Sequence, residues 1–380
     1  MKYALPAAMM VLCCAGYSCK LEPETEYVYQ IDYYAADLNG ILLAGYTSGG
    51  TSSVPVYWED GDVTEMEDNG YGGSAAVSVE NGGTIFSAGR TYDAAGINQV
   101  PCAWSGTALV ELPLPPDSPS GAAESIFITD TSVYVSGWYE AGGNPGEERP
   151  CYWTAPLPSG TVFARTDLEY DEPDASVLQP VSRARAVAVV GGQVCTAGYF
   201  TGSPSGNPYP CYWLGTDRTT LRNYGNGKVY AVVEGEAGTP VFGGCWDNTA
   251  GTIKPCIWNG GAIVEYIPDA DPEYDDYEGC IFGLCYSGGA LWTAGWIRDT
   301  VTGSIERPAV WEEGVLNVLP HGSGPEWATG IVFRDGQAFL SGVYSAGGSY
   351  EGCVWSDNVR YYLPGGQSGS AVNSISLCGL

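Results

Sequence analysis

A chain of 380 residues carries one histidine, His321, and only four lysines. The single imidazole argues against a histidine-built zinc site. It also leaves histidine-dependent acyl transfer resting on one loop residue in "LPHGSGPEW", with no evident serine partner motif. No C-x-x-C pair exists among the 13 cysteines. Cationic residues are few: 15 Lys and Arg against 44 Asp and Glu give a formal charge of −29, which repels phosphate backbones and argues against nucleic-acid binding. Beyond the N-terminus no apolar run is long enough to cross a bilayer, and no segment shows sustained helical periodicity.

What is present in excess points the other way. With 54 Gly, 27 Tyr and 12 Trp, the composition is that of many short strands joined by turns. The length is large for one ordinary core, so two domains or a repeat architecture is expected. The N-terminus, "MKYALPAAMMVLCCAGYSCKLEPETE", sets one Lys before a short apolar run ending in small residues. Residues 1–18 therefore read as a signal peptide, and 19–27 as an anchor or linker. Cys19 before "KLEPETE" resembles a bacterial lipoprotein start, in which that cysteine is lipidated. The expected address is the cell envelope, with the membrane met only through an N-terminal lipid, or secretion if Cys19 is not lipidated.

A two-part signal recurs seven times. Trp58, Trp104, Trp153, Trp213, Trp258, Trp311 and Trp355 stand in "PVYW", "PCAW", "PCYW", "PCYW", "PCIW", "PAVW" and "GCVW". Each follows a Gly that ends an apolar run: Gly45, Gly89, Gly137, Gly198, Gly244, Gly295 and Gly342. Each unit divides into four alternating runs separated by Gly/Asn/Asp turns, such as "AAVSV" and "ENGG". Seven such units over 28–380 predict an all-β, seven-bladed β-propeller with four antiparallel strands per blade. The Gly is expected where a close backbone approach leaves no room for a Cβ, and the Trp where blades pack together. The residue two before each Trp is Val56, Cys102, Cys151, Cys211, Cys256, Ala309 or Cys353, the substitution pattern of a small buried packing position. Cys195, Cys280, Cys285 and Cys378 are expected to pack as well. Cys245 and Cys256 flank one hairpin loop and are the candidate disulfide of an exported protein. Terminal strands are expected to close the ring; both 27–34 ("YVYQIDYY") and 370–378 ("SAVNSISLC") fit the innermost place.

The units "AGY…PCYW" behind a signal peptide resemble the repeats of poorly characterised exported bacterial β-propeller lipoproteins, and less closely those of kelch propellers. The likeness covers 28–380. It departs from kelch in having Ala-Gly, Ser-Gly or one Gly-Gly in place of a double Gly, and in the placing of the Trp. Kelch proteins mostly bind other proteins, so the resemblance implies a binding role.

Loop length suggests where binding occurs. Turns between the first and second runs, and between the third and fourth, are short in nearly every unit; the other two classes are long and emerge on one face. Aromatic residues follow the recurrent Gly there: Tyr46, Trp138, Tyr199, Trp246, Trp296 and Tyr344, with Arg90 in the second unit. Open, they would stack on sugars or anchor a protein; closed, they cap strand ends. Two long insertions are acidic, and Asp269, Asp271 and Asp275 supply oxygens suited to calcium, although Pro272 intervenes and the EF-hand Gly is absent. Solvated acidic loops are the commoner outcome. No cofactor is otherwise expected, and a monomer is. The leading expectation is a binding module for a protein or glycan; the alternatives are a carbohydrate-active hydrolase or lyase on the same scaffold, or a structural subunit of an envelope assembly.

Overall fold

The computed structural model describes residues 37–48, 52–142, 146–170, 180–201, 206–221, 226–247, 252–259, 262–265, 277–301, 305–364 and 369–378. They form seven four-stranded antiparallel sheets arranged as the blades of a propeller. Among the described residues the sole helical element is a single 3-10 turn, Glu236–Gly238. Residues 1–18, expected to be a signal peptide, Cys19 and the run 27–34 lie outside the described residues.

Blades 2 to 7 each take four consecutive strands from inner to outer edge, with inner strands Gly73–Asn81, Gly121–Ile128, Ser182–Val190, Gly227–Glu234, Tyr277–Ser287 and Glu326–Arg334. Blade 1 is built differently. Its inner strand is Ala371–Leu377, paired antiparallel with Ile41–Ser48, so the C-terminus completes the first sheet. The innermost place is therefore filled by the C-terminal run.

Apolar residues at alternate positions bury between sheets, and the core is accordingly seven clusters, one at each blade interface. Blades 2 and 3 meet through Phe86, Ala103, Ile126, Val135 and Trp153. Blades 7 and 1 meet through Phe339, Val354, Leu43 and Trp58, which closes the ring. All seven repeat tryptophans are at most 1% exposed. Each presents a large apolar face to the preceding blade and must also satisfy its N–H there. Trp104, Trp153, Trp213, Trp355 and Trp58 donate to the carbonyls of Glu67, Pro113, Glu169, Pro320 and Pro364, at 2.7–2.9 Å. Every acceptor comes one residue after a buried Met or Leu that follows the preceding blade's outer strand: Met66, Leu112, Leu168, Leu319 and Leu363. The matching acceptor positions for Trp258 and Trp311, 222 and 267, lie outside the described residues.

The Gly column has an equally uniform cause. Each Gly pairs across from the small residue of the third strand, as in Gly137 with Cys151 and Gly198 with Cys211. A Cβ at any of the seven would fall 1.8–2.1 Å from a carbonyl oxygen of the inner strand. Beside each Gly the inner strand carries a β-bulge, between Ala75 and Val77 in blade 2 and at the equivalent place in the other six. The bulge pushes the inner backbone toward the second strand, and only Gly admits it.

The cysteines of the repeat column are buried and form no disulfide. The expected Cys245–Cys256 disulfide is absent: both side chains remain thiols. Register explains it, because Cys256 lies opposite Gly244 while Cys245 lies opposite Pro255. Consecutive strand positions face opposite sides of the sheet, so the two sulfurs diverge. Cys245 instead meets the thiol of Cys280 in the next blade.

Candidate ligand site at the channel mouth

Each inner strand enters from the long-loop face, so the residues before and at its bulge lie nearest that face. The unpaired bulge residue is Asn373, Ala76, Glu124, Arg185, Tyr230, Phe282 and Thr329 in blades 1 to 7. A bulge frees a side chain from the ladder and re-aims it, and here seven stand at one level around the axis. Contacts run between neighbours. Arg185 lies 3.6 Å from Glu124 and 5.2 Å from the Tyr230 ring centroid, and Tyr230 meets Phe282 edge to face at 5.0 Å. Thr329 donates to the Val372 carbonyl at 3.0 Å, and Asn373 donates to the Ala75 carbonyl at 2.7 Å.

On one side of this mouth is a pocket of about 300 Å³ between blades 6, 7 and 1. Tyr46, Phe282, Trp327 and Tyr350 form aromatic walls, Val343 and Ala371 fill between them, and Thr329 and Asn373 supply polar groups. Trp327 is held in place twice: its indole donates to Glu306 at 2.8 Å, and its ring lies 5.1 Å from Tyr350. The combination of apolar walls with a few polar groups is that of a small-ligand site.

On the other side, blades 3 to 5 bring charge together. Arg183 donates to both carboxylate oxygens of Glu148 and stacks over Trp138 at 4.4 Å. Trp138 in turn donates to Glu124 at 3.1 Å. Lys228 stands 4.9 Å over the Tyr199 ring. Burial raises the Tyr199 phenol above its ordinary pKa, against the opposing pull of Arg183 and Arg185. Its hydroxyl is thus a neutral neighbour to the cations.

The sequence-predicted residues divide. Trp138, Tyr199, Trp246 and Tyr344 are 5–8% exposed and pack at strand ends, so they do not form an open ring. Trp246 belongs to the core with Val229, Phe242 and Trp258, while Tyr344 binds Glu351 through its hydroxyl and stacks under Arg360. Register separates these two further, for they stand two residues beyond the recurrent Gly and the others stand one beyond it. They consequently face the opposite side of their blades. Tyr46, Arg90 and Trp296 are half-buried, and of these Tyr46 lines the pocket. Asp269, Asp271 and Asp275 lie outside the described residues, and among the described residues no three His, Cys, Asp or Glu come together to hold a metal. His321 donates from Nδ1 to the Gly322 carbonyl at 2.9 Å. The bulge residues escape a sequence reading because they share a position and not a chemistry.

No family model matches the chain, and no curated protein does. Among solved structures, a puromycin-hydrolyzing peptidase of Mycobacterium tuberculosis is similar at 12% identity and a TM-score of 0.54, over 84% of this chain and 53% of its own. The chain thus spans about half the length of that peptidase. The β-propeller domain of the trilobed protease of Pyrococcus furiosus is similar at 8% identity and a TM-score of 0.51, over 87% of this chain and 93% of its own. These likenesses show the propeller fold. The Pyrococcus domain is described as having an open velcro topology, whereas here the pairing of Ala371–Leu377 with Ile41–Ser48 closes the ring.

Proposed function

We propose that the protein is an exported binding module, tethered through Cys19, that receives a saccharide ring at the long-loop mouth of its channel. The aromatic-walled pocket carries this reading. Flat walls accept the apolar face of a pyranose, and the Thr329 hydroxyl oxygen and the Asn373 amide oxygen can accept from its hydroxyls, their own protons being used on Val372, Ser74 and Ala75. Among the described residues, carboxylates near the mouth are occupied in orienting other groups: Glu148 accepts from Arg183, Glu124 from Trp138, and Glu306 from Trp327. That favours binding over a hydrolase, whose acid and base must reach the substrate. Among the described residues, the exposed large apolar side chains of the same face, Tyr71, Ile97, Ile253, Val301 and Tyr350, come from separate loops, which favours a sugar over a protein partner.

A thermal-melt and calorimetric screen of disaccharides tests the reading. A true ligand at a hundredfold excess over its Kd adds about 2.7 kcal/mol of stability. Trp327→Ala is expected to weaken binding at least about tenfold, equivalent to about 1.4 kcal/mol. Retained affinity in that variant would remove the pocket from consideration, and release of monosaccharide during the titration would favour the hydrolase.

A further inference from the structure

We infer that the saccharide bears an acidic group, a carboxylate or a sulfate, and that Arg185 and Lys228 receive it; this deepens the saccharide reading above and rests on it. A chain with 44 acids and 15 bases repels anions over most of its surface, so cations without a hydrogen-bonded carboxylate at one mouth are a local exception. Arg183 is committed, with both oxygens of Glu148 as acceptors. Arg185 and Lys228 are not. The nearest carboxylate oxygen to the Arg185 guanidinium is that of Glu124 at 3.6 Å, beyond hydrogen-bonding distance. Among the described residues no carboxylate therefore fills its planar fork of donors, the place a carboxylate or sulfate would take. Lys228 lies over the Tyr199 ring, and among the described residues no carboxylate forms an ion pair with it.

Both cations are half-buried on inner strands of adjacent blades, Arg185 at the bulge of blade 4 and Lys228 two residues before the bulge of blade 5. Withdrawing a cation from water without a hydrogen-bonded partner is costly, and two such cations around one phenol make the cost recur. An arriving anion would relieve it. Arg185 is linked to the pocket through one ring. Tyr230 touches Arg185 at one side and Phe282 at the other, and Phe282 is a pocket wall. A sugar against Phe282 can therefore direct a ring substituent over Tyr230 to Arg185.

The test is calorimetric titration of the purified protein with a neutral disaccharide, its uronate and its sulfate ester. The expected result is at least about tenfold tighter binding of one acidic form, which names the group, with the preference lost between about 0.05 and 0.5 M salt as screening grows. Arg185→Gln and Lys228→Gln, each checked by its melt, should bring the acidic-to-neutral affinity ratio toward unity. Arg165→Gln, on the outer strand Ala164–Asp167 and paired with Asp167, should leave that ratio unchanged. A neutral sugar that binds as tightly as both acidic forms would overturn the inference and leave the saccharide reading standing. A ratio that survives both Gln variants would likewise overturn it. Failure of all three sugars to bind would overturn both.

Discussion

A single indole couples each blade to the one before it, and the coupling has two separable parts. Trp153 fills the interface between blades 2 and 3, and its N–H satisfies the Pro113 carbonyl at 2.9 Å. Trp153→Phe keeps an aromatic ring but leaves that carbonyl without its donor, and is expected to cost about 1–3 kcal/mol. Trp153→Ala also opens a cavity, for about 3–5 kcal/mol. The partner residue tolerates still less. An added Cβ at Gly137 would sit 2.1 Å from the Ala122 oxygen and 2.9 Å from the Trp153 ring. Gly137→Ala must displace either the bulge or the indole, and about 3 kcal/mol or more of destabilisation is expected. Urea denaturation of the three variants measures the ranking. An unchanged midpoint for Gly137→Ala would mean that the bulge relaxes freely and that the Gly column has another cause.

Within the strands, legibility depends on whether a position's role constrains its residue type. The Gly and Trp columns permit one residue each, so seven blades are countable from the amino-acid order alone. The Cys column permits Cys, Val or Ala, and its alternation reveals burial. The bulge column permits Asn, Ala, Glu, Arg, Tyr, Phe and Thr, because the unpaired residue leaves the ladder. Nothing in its chemistry announces it; the trace is a missed beat in the period-two pattern, as in "AAESIF". The expected aromatic ring fails for a related reason. Nearness to Gly is counted along the chain, while facing is decided by register, and one residue of offset turns Trp246 and Tyr344 to the other side. The buried thiols yield a prediction at this scale. Burial raises Cys102, Cys151, Cys211 and Cys353 above the ordinary thiol range and Cys195 to about 12. The unfolded chain loses these protons first as pH rises past about 8.5, so the thiols' contribution is whole below that pH and is lost toward their folded values. Each thiol should add a slope of about 1.4 kcal/mol per pH unit. Cys102→Val, the residue blade 1 uses at Val56, should match the parent at neutral pH and show a shallower alkaline decline in denaturation midpoint. Parallel declines would show that Cys102 ionises alike in both states.

For the whole ring, the decisive element is the one whose place the amino-acid pattern leaves open. Both terminal runs alternate correctly, and alternation fixes which face a strand buries but not which partner it finds. The strand Ala371–Leu377 holds three blades at once. It pairs with Ile41–Ser48 in blade 1, its Val372 carbonyl accepts from Thr329 in blade 7, and Asn373 and Ser376 donate to the Ala75 and Ser78 carbonyls in blade 2. Its Val372 and Ile375 also belong to the cluster that joins blades 7 and 1. Deleting residues 371–380 would open Ile41–Ser48 as an edge and uncover that cluster. Exposed edges recruit other chains, so aggregation should accompany the lost stability. At about 2–4 °C per kcal/mol, loss of one strand's ladder and two buried side chains should lower Tm on the order of 10 °C. A peptide of residues 369–380 added in trans should restore the melt in a concentration-dependent way, since it binds only the folded ring. Truncation without effect on Tm would show that the blade interfaces alone hold the ring. Truncation that the peptide cannot repair would show that the strand must be present while the chain folds, and that closure belongs to the folding reaction as well as to the finished structure.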